Sequence, residues 1–220
     1  MGSHFAEMPR AMKLLIYTHE FPPFKGGAGV YSYDLAVGLM SLGLEVHVVT
    51  PLAKSAQRTL AETARSEHLA IHYIAEWQAS PAAEQLLLDC LQLRHDFDMV
   101  MVTERRAQEI VATMGKCSFR YIAVIHGTEL LDYFGGKRFD LAIQPQRMAQ
   151  FYEGAEFCIA VSHATSQLAK VLLKNDRVRL VTIQNGVNLA RLAPPRLADS
   201  GRLRQRYGTG AEIVFCLGRL

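Results

Sequence analysis

The chain has 220 residues, half of them hydrophobic and a fifth charged, with a formal net charge of +3. This is ordinary globular composition, enough for one large domain or for one domain and a piece of another. No apolar run reaches the roughly 18 residues of a membrane span. Arg191, Arg196, Arg202, Arg204 and Arg206 lack interleaved aromatics, which argues against a nucleic-acid partner and leaves only peripheral attraction to anionic lipid headgroups open.

In chain order, residues 14–17 form a short apolar strand, followed about ten residues later by Gly26-Gly27-Ala28-Gly29 and a helix over 30–42 that Gly43 stops. Further strands are expected over 45–50, 70–74, 99–102, 121–125, 157–161 and 178–183. Helices fall between them: 80–93, with Ser80 as N-cap and Pro81 in the first turn, then 104–114, 144–153, and one capped by Ser162 that runs to 173. Residues 54–67 and 130–143 read as variable loops. Strands that are apolar throughout and alternate with helices specify a doubly wound α/β domain around a parallel sheet. Its predicted extent is 13–190. Residues 191–220 read as a linker, a short helix near 203–207 and a strand over 213–217, the truncated start of a second domain.

Cys90, Cys117, Cys158 and Cys216 are far apart and show no Cys-x-x-Cys or mixed Cys/His spacing. Buried free thiols in a reducing cytoplasm, with no metal, are the expectation. The start of the chain lacks a basic region followed by an apolar core, so no secretory signal is expected.

The glycine run is the first functional candidate. Glycines let backbone approach a ligand, and the helix that follows directs unpaired N–H groups and a positive dipole end at an anion. A nicotinamide site is opposed by the long strand-to-glycine separation and by the absence of an acidic residue after the second strand, which ends in Thr50-Pro51. A purely structural glycine turn is the other reading. His126, beside Gly127 at the end of a buried strand, either is a packed residue or donates to a sugar hydroxyl or developing charge. Glu129 either accepts a hydroxyl or caps the next helix. Ser162 is an N-cap or a hydroxyl in the cleft, and no Gly-x-Ser-x-Gly elbow supports a serine hydrolase. Asn185-Gly186 makes a turn that would line a cleft. Glu20, in the stretch His19-Glu20-Phe21-Pro22-Pro23-Phe24, either faces a ligand or belongs to a loop that is simply packed down.

Several blocks then carry a resemblance. Glu20-Phe21-Pro22-Pro23-x-x-Gly26-Gly27-x-Gly29, Leu39-x-x-Leu42-Gly43, Val46-x-Val48-Val49-Thr50, Ile125-His126-Gly127, Val161-Ser162, Ile183-Gln184-Asn185-Gly186-Val187-Asn188 and Cys216-Leu217-Gly218-Arg219-Leu220 stand in the order found in glycosyltransferase family 4. The chain from Lys13 onward resembles that family of retaining nucleotide-sugar enzymes. The resemblance implies a GT-B fold, in which two Rossmann-like domains face across a cleft. It implies transfer of a sugar from a nucleotide-diphosphate donor to a hydroxyl acceptor with retention of configuration, without metal or cofactor. Gly26, Gly27 and Gly29 would set amides against the donor diphosphate, His126 would sit beside the sugar, and Arg219 would grip the phosphates. The Lys beyond Arg219 and the Glu-x7-Glu element of the family are not in the sequence, and Asn188 replaces a common Asp. As a fragment the chain is expected to lack useful turnover. A non-catalytic sugar- or phosphate-binding module, or an epimerase or phosphorylase of the same fold, is the alternative.

Overall fold

A computed structural model of the protein describes residues 10–23, 26–52, 69–75, 80–115, 117–136, 143–186, 205–206 and 208. Seven strands form one sheet, β1 (Lys13–Tyr17), β2 (Glu45–Pro51), β3 (Leu69–Ile74), β4 (Met99–Val102), β5 (Tyr121–Ile125), β6 (Phe157–Ala160) and β7 (Leu180–Thr182). The helices between them are α1 (Gly27–Ser41), α2 (Pro81–His95), α3 (Arg105–Thr113), α4 (Thr128–Phe134), α5 (Pro145–Gly154) and α6 (His163–Leu173). The strand order is β3-β2-β1-β4-β5-β6-β7, with every pairing parallel. This is the Rossmann-like, doubly wound arrangement expected from the sequence. The order reverses between β1 and β4, which puts the topological switch at their carboxyl ends, where open α/β sheets bind ligands.

Both faces of the sheet are covered, so the central strands have no polar side. Leu15, Tyr17, Val100, Val102, Ala123 and Ile125 join the core under α2, α3, α5 and α6. Ile16, Val46, Val48, Met101 and Val124 face the other way, where Leu35, Leu39 and Met40 of α1 pack. Helix ends follow local chemistry. Ser80 Oγ accepts from Ala83 N at 3.3 Å with Pro81 in the first turn of α2. Gly43, at φ 83°, ends α1 as its N–H reaches Met40 O at 2.9 Å and Leu44 N reaches Leu39 O at 3.3 Å, a Schellman closure that needs a left-handed residue.

Three expectations change. Helix α1 begins at Gly27, so the glycines form its first turn instead of a loop ahead of it. Residues 130–143 are not all loop, because α4 continues as far as Phe134. Of the described cysteines, Cys158 is buried but Cys90 is exposed. The chain divides into two compact units, Met1–Asn185 and Gly186–Leu220. The predicted linker, the strand 213–217, the whole loop 54–67 and Arg219 lie outside the described residues.

Candidate functional site

The carboxyl ends of β1, β4 and β5 form a connected rim. Thr18 follows β1 and Thr103 follows β4, and both are fully buried. Ser32 of α1 reaches both, at 3.5 Å to Thr18 Oγ1 and 2.8 Å to Thr103 Oγ1. These hydroxyls pin the first turns of α1 over the switch point. Gly26, the N-cap, is extended (φ −175°, ψ 157°) and supplies no side chain to the first amides. A Cβ built on Gly27 meets no heavy atom within 4 Å. Neither the backbone at Gly26 nor packing at Gly27 therefore requires a glycine. Gly29 is buried against the sheet.

His126 stands directly beyond β5. Its Nε2 lies 2.8 Å from the Thr103 carbonyl, and a carbonyl only accepts, so Nε2 carries the proton. In the neutral ring Nδ1 then bears a lone pair, which reverses the expectation that this histidine donates unless it is protonated. Tyr31, two residues past Gly29 on α1, sets its ring edge-on to the imidazole with centroids 5.0 Å apart. Burial pushes the Tyr31 phenol up to about 12, so it stays neutral. Tyr31 and Thr103 were not visible as site residues in the sequence, because their contacts depend on how α1 sits on the sheet.

Glu129 is 2% exposed and faces the protein. One carboxylate oxygen accepts from His126 N at 2.5 Å; the other accepts from Gly127 N and Thr128 Oγ1, each at 3.2 Å. Both oxygens are thus engaged on the turn that enters α4, which fits the capping alternative better than the cleft-lining one. Gly127 adopts φ 112° in this turn, a conformation suited to glycine. Glu104 has the same role beyond the neighbouring strand β4: it accepts from His19 N at 2.9 Å, Ala107 N at 2.8 Å and Arg106 N at 2.7 Å. Ser162 Oγ accepts from Thr165 N at 3.0 Å and meets Thr165 Oγ1 at 2.9 Å, so it caps α6.

Along the loop after β1, Glu20 is half-buried and its hydrogen bonds run through its backbone to Thr18 Oγ1. Phe21 is buried against Tyr33, which fits a loop packed down by its aromatics. A polar cluster ties the start of the same loop to α2: Glu84 Oε2 accepts from Tyr17 Oη at 2.5 Å and from His19 Nε2 at 2.8 Å. Burial and the neighbouring Glu84 carboxylate raise the Tyr17 phenol far above its ordinary value, so it remains a donor. Asn185 and Gly186 are exposed; Asn185 follows β7, a strand separated from β5 by β6. Among the described residues no helix is long and apolar enough to cross a membrane.

Comparison with solved structures places this architecture among GT-B glycosyltransferases. Anabaena HepE in complex with UDP aligns with a TM-score of 0.58 and 16% identity over 90% of this chain and 50% of its own. A glycosyltransferase from Rickettsia africae gives 0.60 and 14% over 93% and 51%. Sucrose-phosphate synthase from Thermosynechococcus elongatus gives 0.54 and 11% over 89% and 98%. The chain thus spans about half the length of the first two. No curated protein sequence matches it. The model of glycosyltransferase family 4 matches residues 25–191, most of the chain, and the protein belongs to that family.

Proposed function

We propose that this chain is the acceptor-side half of an enzyme that moves a sugar from a nucleotide-diphosphate donor to a hydroxyl, with retention of configuration. The observation that carries the reading is the Tyr31–His126 contact. It sets the imidazole beside the glycine-rich first turn of α1, at the switch point of the sheet. The donor diphosphate takes the amides of residues 27–29, where N–H dipoles and the helix end oppose the charge that grows on the leaving group. His126, held by the Thr103 carbonyl, offers Nδ1 to a hydroxyl of the transferred sugar. Arg219 adds a cation from the donor side. Ser162, Asn185, Gly186 and Glu20 line the acceptor approach, and no step calls for a metal or an organic cofactor. A cytoplasmic setting, with the acceptor reached at a membrane surface, belongs to the same reading.

HepE is described in complex with UDP, so uridine-diphosphate sugars are the first donors to try. The test uses the chain joined to its donor-side domain. A thermal-shift panel of nucleotide sugars should single out one donor by a raised melting point. His126→Ala should then cut transfer at least 100-fold while the melting temperature stays within a few degrees. Full transfer by His126→Ala, or a panel in which nothing binds, would overturn the proposal. The 220-residue chain alone should bind acceptor analogues and show no useful turnover.

A further inference from the structure

Away from the glycosyltransferase rim, three histidines converge that have no sequence spacing in common. His47 lies on β2, His72 on β3 and His95 at the end of α2. Register explains the meeting. His47 pairs with Ala70 and Val49 with His72, so the two rings project from the same face of neighbouring strands. Helix α2 packs on that face and brings its last residue over them. His47 is level with Leu15 of β1, about 10 Å below the strand end where Thr18 stands.

One nitrogen from each ring lies within 4.8 Å of the others. His47 Nδ1 and His72 Nε2 are 2.9 Å apart. His95 packs on His47 with ring centroids 4.5 Å apart, and its Nε2 is buried without a hydrogen-bond partner. A buried ring nitrogen left unpaired is costly unless something takes its lone pair or its proton. His47 Nε2 lies 3.1 Å from Glu45 Oε1. A carboxylate accepts, so Nε2 carries the His47 proton and Nδ1 keeps its lone pair. This is the carboxylate–histidine pairing that orients metal-ligating imidazoles.

We infer that His47, His72 and His95 bind a divalent late first-row metal, zinc in the first place, with Glu45 orienting His47. Three imidazoles at zinc bond lengths set their nitrogens about 3.4 Å apart around a tetrahedral ion. The His47–His72 pair opens by about half an ångström to reach that spacing. His72 moves its proton from Nε2 to Nδ1, and His95 gives its buried Nε2. A water fills the fourth position. Borderline nitrogen ligands with no thiolate favour zinc, cobalt or nickel over magnesium or calcium. The ion would tie edge strand β3 and the end of α2 to β2, at a distance from the sugar-transfer chemistry. Burial first, and then the neighbouring His47 and His95, lower the His72 pKa to about 4.

The experiment titrates zinc chloride into the chelator-treated full chain by calorimetry. One ion per chain with micromolar or tighter affinity is expected, together with a melting temperature raised by roughly 5–10 °C at 100 times Kd. Cobalt(II) should give the intense visible bands of a tetrahedral site. His95→Ala, which removes a ring from a helix end, should weaken zinc at least 100-fold and abolish those bands. Glu45→Gln should weaken it tenfold or more. His163→Ala, exposed on α6, should change nothing. Affinity no tighter than millimolar in the wild-type chain would overturn the inference, whether or not the variants fold. So would zinc binding that survives both His95→Ala and His72→Ala.

Discussion

Gly27→Ala separates a ligand-serving glycine from a structural one. Gly27 is the first residue of α1, is exposed, and has no heavy atom within 4 Å of a built Cβ. The added methyl therefore costs no packing. Alanine lowers the conformational entropy of the unfolded chain and favours helix, so stability should rise by about 0.4–1 kcal/mol, or a melting temperature higher by roughly 1–4 °C. The Cα–Cβ bond of a helical residue tilts toward the helix N-terminus, which is where a diphosphate would lie. Pushing a phosphate oxygen back by roughly 1 Å breaks two charge-assisted N–H contacts worth about 1.5 kcal/mol or more each. Affinity for the donor nucleotide should fall on the order of 100-fold. Urea unfolding measures the first quantity on this chain, and calorimetry measures the second on the two-domain enzyme. A loss of stability above about 1 kcal/mol with unchanged affinity would refute the reasoning and return the glycine to a purely structural role.

Glu129→Ala removes the carboxylate that accepts from His126 N and Gly127 N. It should cost about 3–5 kcal/mol in urea unfolding, because two backbone donors lose a charged acceptor. A loss below about 1 kcal/mol would mean that the cap is not holding the turn. Ser162→Ala should cost about 1 kcal/mol through the lost α6 cap. Ser162→Asp should restore both stability and transfer; recovery of stability without transfer would show that the hydroxyl itself contacts acceptor. In metal-free protein the His72 pKa of about 4 lies below the ordinary histidine value. Protons therefore bind the unfolded chain first, and the His72 contribution is intact above about pH 6.5 and is lost as pH falls toward 4. Urea midpoints should drop between about pH 7.5 and 5, and His72→Asn should flatten that drop.

The strands were legible in the sequence because a sheet covered on both faces asks for unbroken apolar segments. Runs such as Tyr121–Ile125, buried at every position, have few other uses. The short helix α4 was hidden: seven residues ending in Phe134 before Gly135 and Gly136 offer too little length for a 3.6-residue period to stand out. The start of α1 was hidden for the opposite reason, since glycines are poor helix formers and it is the bond from Val30 N to Gly26 O, at 3.1 Å, that shows they are in the helix. Candidate positions at strand ends were readable, because topology sends every parallel strand to one edge. Partners were not. Glu129 turning back on His126 N, Tyr31 leaning on the imidazole, and His47 meeting His72 depend on register and helix placement, which residue types alone do not encode.

The way the helices begin at that edge gives the glycine turn its meaning. Helix α3 has Glu104 on its first amides, α4 has Glu129 folded back on its entry turn, and α6 has Ser162. Two of these caps are buried carboxylates that would repel a diphosphate if they faced it. They face inward instead, and the charge of each is spent on backbone N–H groups and a helix dipole. By doing so they stiffen the loops after β1 and β5, since Glu104 also takes His19 N and Glu129 takes His126 N. Helix α1 differs from these three: its N-cap makes no side-chain hydrogen bond and its first turn holds no acidic residue, as is also true of α5, whose first turn carries Pro145. Among the described residues, that edge thus has self-satisfied turns at α3, α4 and α6 beside a glycine-opened α1 whose N-cap offers its first amides no side-chain acceptor. Fixed dipoles that need no rearrangement when charge develops are what transfer from a diphosphate requires. Gly26→Asp would give α1 the cap that its neighbours have. It should raise stability by about 0.5–1 kcal/mol and, by filling the anion position with its own carboxylate, should abolish donor binding in the two-domain enzyme. Donor affinity that survives Gly26→Asp would show that the phosphates lie elsewhere.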